Sequence, residues 1–177
     1  NLNVVYVHPT TRAKVYVGNI TAAQKKEILD GHSITHIVNC QGTDATNFFE
    51  ADPKFSYLRF PIAFWRMKGT STSAGMLRFF EPLWAFMDGA LDAGRNVMVH
   101  CLAGAHRAGT TGVATIMRYG KIDWAAAIHT AKTLRPIIDP IGGLQTLLEK
   151  LDVALREERE AAAKAAPASG AGSAAAL

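Results

Sequence analysis

Two residues of this 177-residue chain stand at a spacing that invites chemistry: Cys101 and Arg107, joined by Leu102, Ala103, Gly104, Ala105 and His106 and preceded by His100. A cysteine attacks as its thiolate, and an ordinary thiol, with a pKa of about 8.5, is mostly protonated at neutral pH unless its surroundings are positive. A strand that turns directly into a helix supplies such surroundings, because the first-turn N–H groups lack partners and the helix dipole favours negative charge. The apolar run 96–100 reads as a strand and 108–119 as a helix, which puts Cys101 at the mouth of such a turn. The small residues Ala103, Gly104 and Ala105 let the backbone curl into a nest of N–H donors, and the spacing brings Arg107 back over the bound anion. An arginine there can grip two phosphate oxygens at once and hold the charge of a phosphoryl-transfer transition state. Cys101 is the candidate nucleophile, forming a cysteinyl-phosphate that water hydrolyses, and Leu102, Ala103, Gly104, Ala105, His106 and Arg107 are the candidate phosphate ligands. The bland alternative, an inert buried cysteine and a surface cation, explains each residue alone but not their joint placement around a glycine at a strand-to-helix turn.

The elements that must position this loop can be read from period and punctuation. Residues 13–17 and 35–39 are short β-branched runs closed by Gly18-Asn19 and Gln41-Gly42, which marks buried strands. Between them residues 21–30 read as one helix with Thr21 as N-cap, so the first unit is strand, helix, strand, the signature of a parallel sheet. A third strand is expected over 57–62 and a surface loop over 68–75. The stripe Leu77, Phe80, Leu83, Trp84, Met87 and Leu91 predicts a core-facing helix over 76–91. Helices at 122–134 and 142–158 follow, divided by Arg135-Pro136 and Asp139-Pro140. The fold class is α/β: one domain over residues 1–158 with a central, mostly parallel twisted sheet flanked by helices. The Ala/Gly/Ser-rich stretch 159–177 reads as a tail, helical at first and disordered from about residue 166.

Bulk properties narrow the partners. With 49% hydrophobic residues the chain can bury one sizeable core, and no apolar run is long enough for a membrane span. A net charge of +4 favours acidic or phosphorylated partners, and no nucleic-acid-reading motif accompanies it. Two cysteines, Cys40 and Cys101, exclude a disulfide framework or a zinc site, so no metal or cofactor is expected. A cytoplasmic location is expected, and the start at Asn1 rather than Met points to a fragment or a trimmed terminus. His36 and His129 read as packing residues, and His106 as a residue of the pocket rim. Oligomeric state is left open.

His100-Cys101, five residues and Arg107 resemble the active-site motif of the cysteine-based protein tyrosine phosphatase superfamily. Tyr16-Val17-Gly18-Asn19 and Ile34-Thr35-His36-Ile37-Val38-Asn39 resemble the opening of its dual-specificity branch, including the atypical, regenerating-liver-like members, and the likeness covers about residues 13–151. The resemblance implies that His100 orients the loop, Cys101 attacks and Arg107 binds phosphate. It also implies a redox partner for the nucleophile at Cys40. The chain departs from the pattern twice. Ala108 stands where a Ser or Thr usually assists the leaving thiolate, and residues 53–80 contain no Asp or Glu where the family carries its general acid. Asp44 is the one substitute acid the sequence offers, against its simpler reading as a turn aspartate. The expected function is a phosphatase for phosphorylated proteins, phosphotyrosine favoured. A pseudophosphatase that binds phosphate without turnover, and a phosphoinositide or glucan phosphatase, stand as alternatives.

Overall fold

The computed structural model describes residues 1–167. Five strands, β1 (Leu2–Val7), β2 (Lys14–Gly18), β3 (Ile34–Asn39), β4 (Ser56–Arg59) and β5 (Asn96–His100), form one sheet in the order β1-β2-β5-β3-β4. Only β1 runs antiparallel to its neighbour; β2, β5, β3 and β4 are mutually parallel. The period of two explains how the sheet is covered on both faces. Val15, Val17, Val38, Val97 and Val99 turn to one face and join a core with α3 (Ser73–Asp92), α4 (Arg107–Gly120), α5 (Trp124–Leu134) and α6 (Gly143–Ala165). Tyr16, Ile37 and Met98 turn to the other face and pack with Ala22, Ala23 and Leu29 of two short helices, α1 (Ile20–Ala23) and α2 (Lys26–Gly31).

The core-facing stripe of α3 is buried at Phe80, Leu83, Trp84, Met87 and Leu91. Fully burying such a side chain contributes roughly 1.5–3 kcal/mol, so this one helix anchors much of the larger core. The helix that follows the loop, α4, is enclosed on nearly every side, with Ala108 through Met117 all buried. It can lie so close to the sheet because Gly112 faces β2: a Cβ there would stand 2.7 Å from Val17 Cγ2.

Four expectations need correction. The stretch 21–30 is broken into α1 and α2, and its N-cap is Asn19, whose side chain accepts the Ala22 N–H at 3.0 Å, rather than Thr21. The strand expected over 57–62 ends at Arg59, and Ile62–Met67 winds into a 3-10 turn after Pro61. Helix α3 begins inside the expected loop, because the Thr72 side chain caps it by accepting the Gly75 N–H at 3.0 Å. The edge strand β1 was not expected at all. The last helix runs to Ala165, through the stretch read as the helical start of the tail. Residues 168–177, most of the expected disordered tail, lie outside the described residues.

Candidate active site

The loop 101–106 leaves the end of β5 in the middle of the sheet and enters α4 at Arg107. His106, the residue before the helix, makes no side-chain cap, and the first-turn donors of α4 have no partner among the described residues. The backbone N–H groups of Leu102, Ala103, Ala105 and His106 donate to no group among the described residues. The Gly104 N–H points at Cys101 Sγ from 3.3 Å. Cys101 is a free thiol, 2% exposed, at the floor of this ring of donors. Arg107 is half-buried, and its guanidinium enters no ion pair or hydrogen bond among the described residues. Such an arrangement holds a tetrahedral oxyanion: the donors converge, and a planar cation completes them.

What holds the loop open is less visible in the sequence. Gly104 adopts φ +68°, and a Cβ there would collide with the Gly18 carbonyl oxygen and lie 2.8 Å from Arg135 Nη2. Arg135 is buried, 4% exposed. Its Nε donates to the Gly104 carbonyl at 2.9 Å, Nη2 to the Ala103 carbonyl at 3.4 Å and Nη1 to Asn3 Oδ1 at 2.7 Å. By drawing those carbonyls outward, Arg135 turns the opposite ends of the peptide units, the N–H groups, toward the anion. On one flank the Leu102 carbonyl accepts the Ile20 N–H at 3.1 Å. On the other the Asp139 N–H donates to the Ala105 carbonyl at 3.0 Å, and His106 Nδ1 donates to the Asp139 carbonyl at 2.7 Å. A carbonyl can only accept, so Nδ1 carries the ring proton. Sequence reasoning saw Arg135 only as a helix end before Pro136; a buried arginine without a carboxylate partner is the structural signal of its role.

His100 lies beneath the loop and is fully buried. Burial pulls its pKa down to about 4, the Cys101 backbone carbonyl, which favours a ring N–H, opposes this more weakly, and neither ring nitrogen meets a full hydrogen-bond geometry among the described residues. The ring is therefore neutral at physiological pH. Ala108, also fully buried, offers no hydroxyl; the nearby hydroxyls of Thr110 and Thr111 donate back to the His106 and Arg107 carbonyls at 2.6 and 3.1 Å.

Cys40 follows β3 as Cys101 follows β5. The strands pair Asn39 with His100, and the Cys40 N–H donates to the His100 carbonyl at 2.9 Å, so the two thiols leave neighbouring parallel strands in the same register. Burial pushes the Cys40 thiol up to about 12, with the charge of Cys101 adding to this and the Thr111 hydroxyl, 3.3 Å from Sγ, and Arg107 opposing it. Asp44 is exposed in the turn that the Ala45 N–H closes onto the Gly42 carbonyl at 3.1 Å, and no hydrogen bond joins its carboxylate to the phosphate loop among the described residues. The 3-10 turn Ile62–Met67 brings Phe64, Trp65, Arg66 and Met67 to this edge and no carboxylate. His36 packs 5.2 Å from the Phe86 ring as expected, whereas His129 is exposed on α5 and is no packing residue. Among the described residues no cluster of three His, Cys, Asp or Glu stands close enough to hold a metal ion, and no helix is long and apolar enough to cross a membrane.

The sequence model of the family described as dual specificity phosphatase, catalytic domain, matches residues 15–152. The chain is 31% identical over 147 residues to dual specificity protein phosphatase 22-B of Danio rerio, which covers 82% of this chain and 75% of the relative. Its fold matches the crystal structure of DUSP15 with a TM-score of 0.65 over 94% of this chain and 98% of that one, at 24% identity. Human DUSP28 matches with a TM-score of 0.62 over 87% and 95%, at 26% identity. The chain belongs to the dual specificity phosphatase family.

Proposed function

We propose that the chain hydrolyses phosphate monoesters of proteins, phosphotyrosine before phosphoserine or phosphothreonine, through Cys101. The observation that carries this reading is the set of loop N–H donors next to the buried Cys101 that bond to nothing among the described residues, together with an Arg107 guanidinium that has no partner among them. The thiolate attacks phosphorus, a P–S bond forms as the P–O bond to the leaving group breaks, and the leaving oxygen departs with the electron pair. Water then attacks the cysteinyl-phosphate, the P–S bond breaks, and inorganic phosphate and the thiolate are released. Arg107 and the loop N–H groups hold the equatorial oxygens through both steps. His100 acts by supporting the loop from below. A second reading, a phosphate-binding module with little turnover, draws on the acid-free turn Ile62–Met67.

Phosphate release from an aryl phosphate separates the two. Cys101→Ser is expected to lose on the order of 10⁴-fold or more in rate while keeping its affinity for a phosphate analogue. Arg107→Ala is expected to weaken both. Turnover undiminished in Cys101→Ser removes this chemistry, and a wild type that binds the analogue but releases no phosphate selects the binding module.

A further inference from the structure

Among the described residues seven large apolar side chains are exposed, and five of them, Leu102, Ile137, Phe64, Met67 and Ile141, stand on the phosphate loop or on segments joined to it. Segment 135–142 is bonded to the loop through Asp139, and the turn Ile62–Met67 packs against α4. Met67 is 72% exposed and Leu102 60%; singly such residues are ordinary, and it is the gathering of five of the seven at one edge that marks a surface for a partner.

The strand order settles which side each residue takes. The loop follows β5, the segment after β2 flanks it on one side, and the turn after β4 lies beyond β3 on the other. Leu102 is bonded to Ile20, and Ile137 lines a cleft of about 420 Å³ with Asn3 and Asn19, so both belong to the β2 side. Gly143, two residues past Ile141, lies against the Arg66 guanidinium, so Ile141 joins Phe64 and Met67 on the β4 side. Two apolar patches thus face each other across the phosphate loop. From β2 to β4 is three strand spacings of about 4.8 Å, roughly 14 Å, which four or five extended residues span.

We propose that this edge selects phosphotyrosyl segments carrying large apolar residues within two positions on each side of the phosphotyrosine, the chain crossing perpendicular to the strands. The proposal rests on the reading of the Cys101 loop as a phosphate site and names what flanks the phosphate. A peptide fits better than a lipid surface, because the β2-side cleft presents the carboxamides of Asn3 and Asn19. Their oxygens are taken by Arg135 and by the Ala22 N–H, and their amide N–H groups have no acceptor among the described residues. A peptide backbone supplies acceptors there and hydrocarbon does not.

The test is calorimetric binding to Cys101→Ser. The probes are inorganic phosphate, a phosphotyrosyl peptide with leucines two positions before and after the phosphotyrosine, and the same peptide with serines there. The leucine peptide is expected to bind roughly tenfold more tightly than the serine peptide. Adding Met67→Ser or Ile137→Ser, both exposed and remote from the anion, is expected to remove most of that difference while leaving phosphate affinity unchanged. Phosphate that fails to bind removes the underlying phosphate site. Phosphate that binds while the two peptides are equal overturns this inference alone. So does either serine variant abolishing association with phosphatidylserine vesicles, or a self-dimer, without touching the peptide preference.

Discussion

The loop 101–106 and the turn Ile62–Met67 share one edge of the sheet and differ in how they are built. The loop is tied at every corner by groups that serve it: Arg135 on its carbonyls, Ile20 and Asp139 on its flanks, and neutral His100 beneath. The turn is held by packing, with Trp65 buried, the Arg66 guanidinium stacked 4.6 Å from its ring, and the Thr70 hydroxyl bonded to the Trp65 carbonyl at 2.8 Å. One segment is furnished to bind an anion; the other reaches the same edge with nothing to donate a proton to a leaving group. Groups suited to an anion and groups suited to proton transfer can be separated within one fold, and among the described residues this edge presents the first kind on the loop and no carboxylate on the turn.

The largest expected effect tests that separation. A positioned acid is worth roughly 10²–10⁴ in rate, and its absence is felt most where the leaving group is poorest. Activated aryl phosphates are expected to turn over measurably, phosphotyrosine weakly, and phosphoserine and phosphothreonine almost not at all. A leaving-group series on wild type and Asp44→Asn checks this. A flat series steepened by Asp44→Asn makes Asp44 the donor, and a flat series that the substitution leaves unchanged means that another donor supplies the proton.

Next in size is the dependence of the binding half on His100. Its pKa falls from the usual 6.5 to about 4 in the fold, so between these values the unfolded chain binds a proton that the native chain refuses. Above pH 6.5 both states are neutral and the shift costs nothing; as the pH falls toward 4 it destabilises the fold increasingly, by on the order of 3 kcal/mol in all at about 1.4 kcal/mol per unit. Urea midpoints across this range are expected to fall with acid. His100→Asn should flatten the decline, leaving a smaller slope of the same sign from His36, which burial and the charge of Arg95 also hold low. A wild-type midpoint that does not move between pH 7 and 4.5 contradicts the neutral, buried His100.

A smaller loss is expected from Arg135→Ala. It leaves the Gly104 and Ala103 carbonyls without their donor, at a cost of about 2 kcal/mol, and should loosen phosphate-analogue binding by roughly tenfold or more without altering the leaving-group series. Equal damage to both readouts would mean that the two regions are coupled. The least effect on basal rate is expected at Cys40. Peroxide is expected to convert the Cys101 thiolate to a sulfenic acid, which Cys40 then attacks to form a disulfide and release water. Cys40→Ser should change basal hydrolysis less than about twofold and should divert peroxide-treated Cys101 to sulfinic acid. Mass spectrometry of wild type showing only sulfinic Cys101 and free Cys40 counts against the pairing, and the high Cys40 pKa, which burial imposes, predicts that the disulfide forms slowly.

The turn from Cys101 to Arg107 was legible because its parts are contiguous: cysteine, glycine and arginine lie between one strand and the next helix. The parallel sheet was legible because the β-branched runs 13–17 and 35–39 flank a helical stretch, the strand-helix-strand unit that parallel pairing requires. Arg135 was not, since its partners Ala103 and Gly104 lie 32 and 31 residues back, and only tertiary closure brings them together. The break between α1 and α2 was hidden because Gln24 and Lys25 have good helix propensity, while Asn19 captures the Ala22 N–H and starts the helix early. Strand β1 went unread although Leu2–Val7 is rich in β-branched residues; as an antiparallel edge it lacked the strand-helix-strand grammar that announced the others.

The bond from Arg135 to Asn3 spans 132 residues and joins the first strand to the penultimate helix through the underside of the phosphate loop. Contacts of such separation are the last that a chain growing from its N-terminus can make. Until residue 135 has been added and the chain has closed on itself, the Ala103 and Gly104 carbonyls lack the donor that braces the loop around Cys101. Competence therefore arrives with the C-terminal third of the chain, and a nascent or truncated product ending before Arg135 is expected to carry the whole signature motif and yet fail to retain on a phosphate-analogue resin.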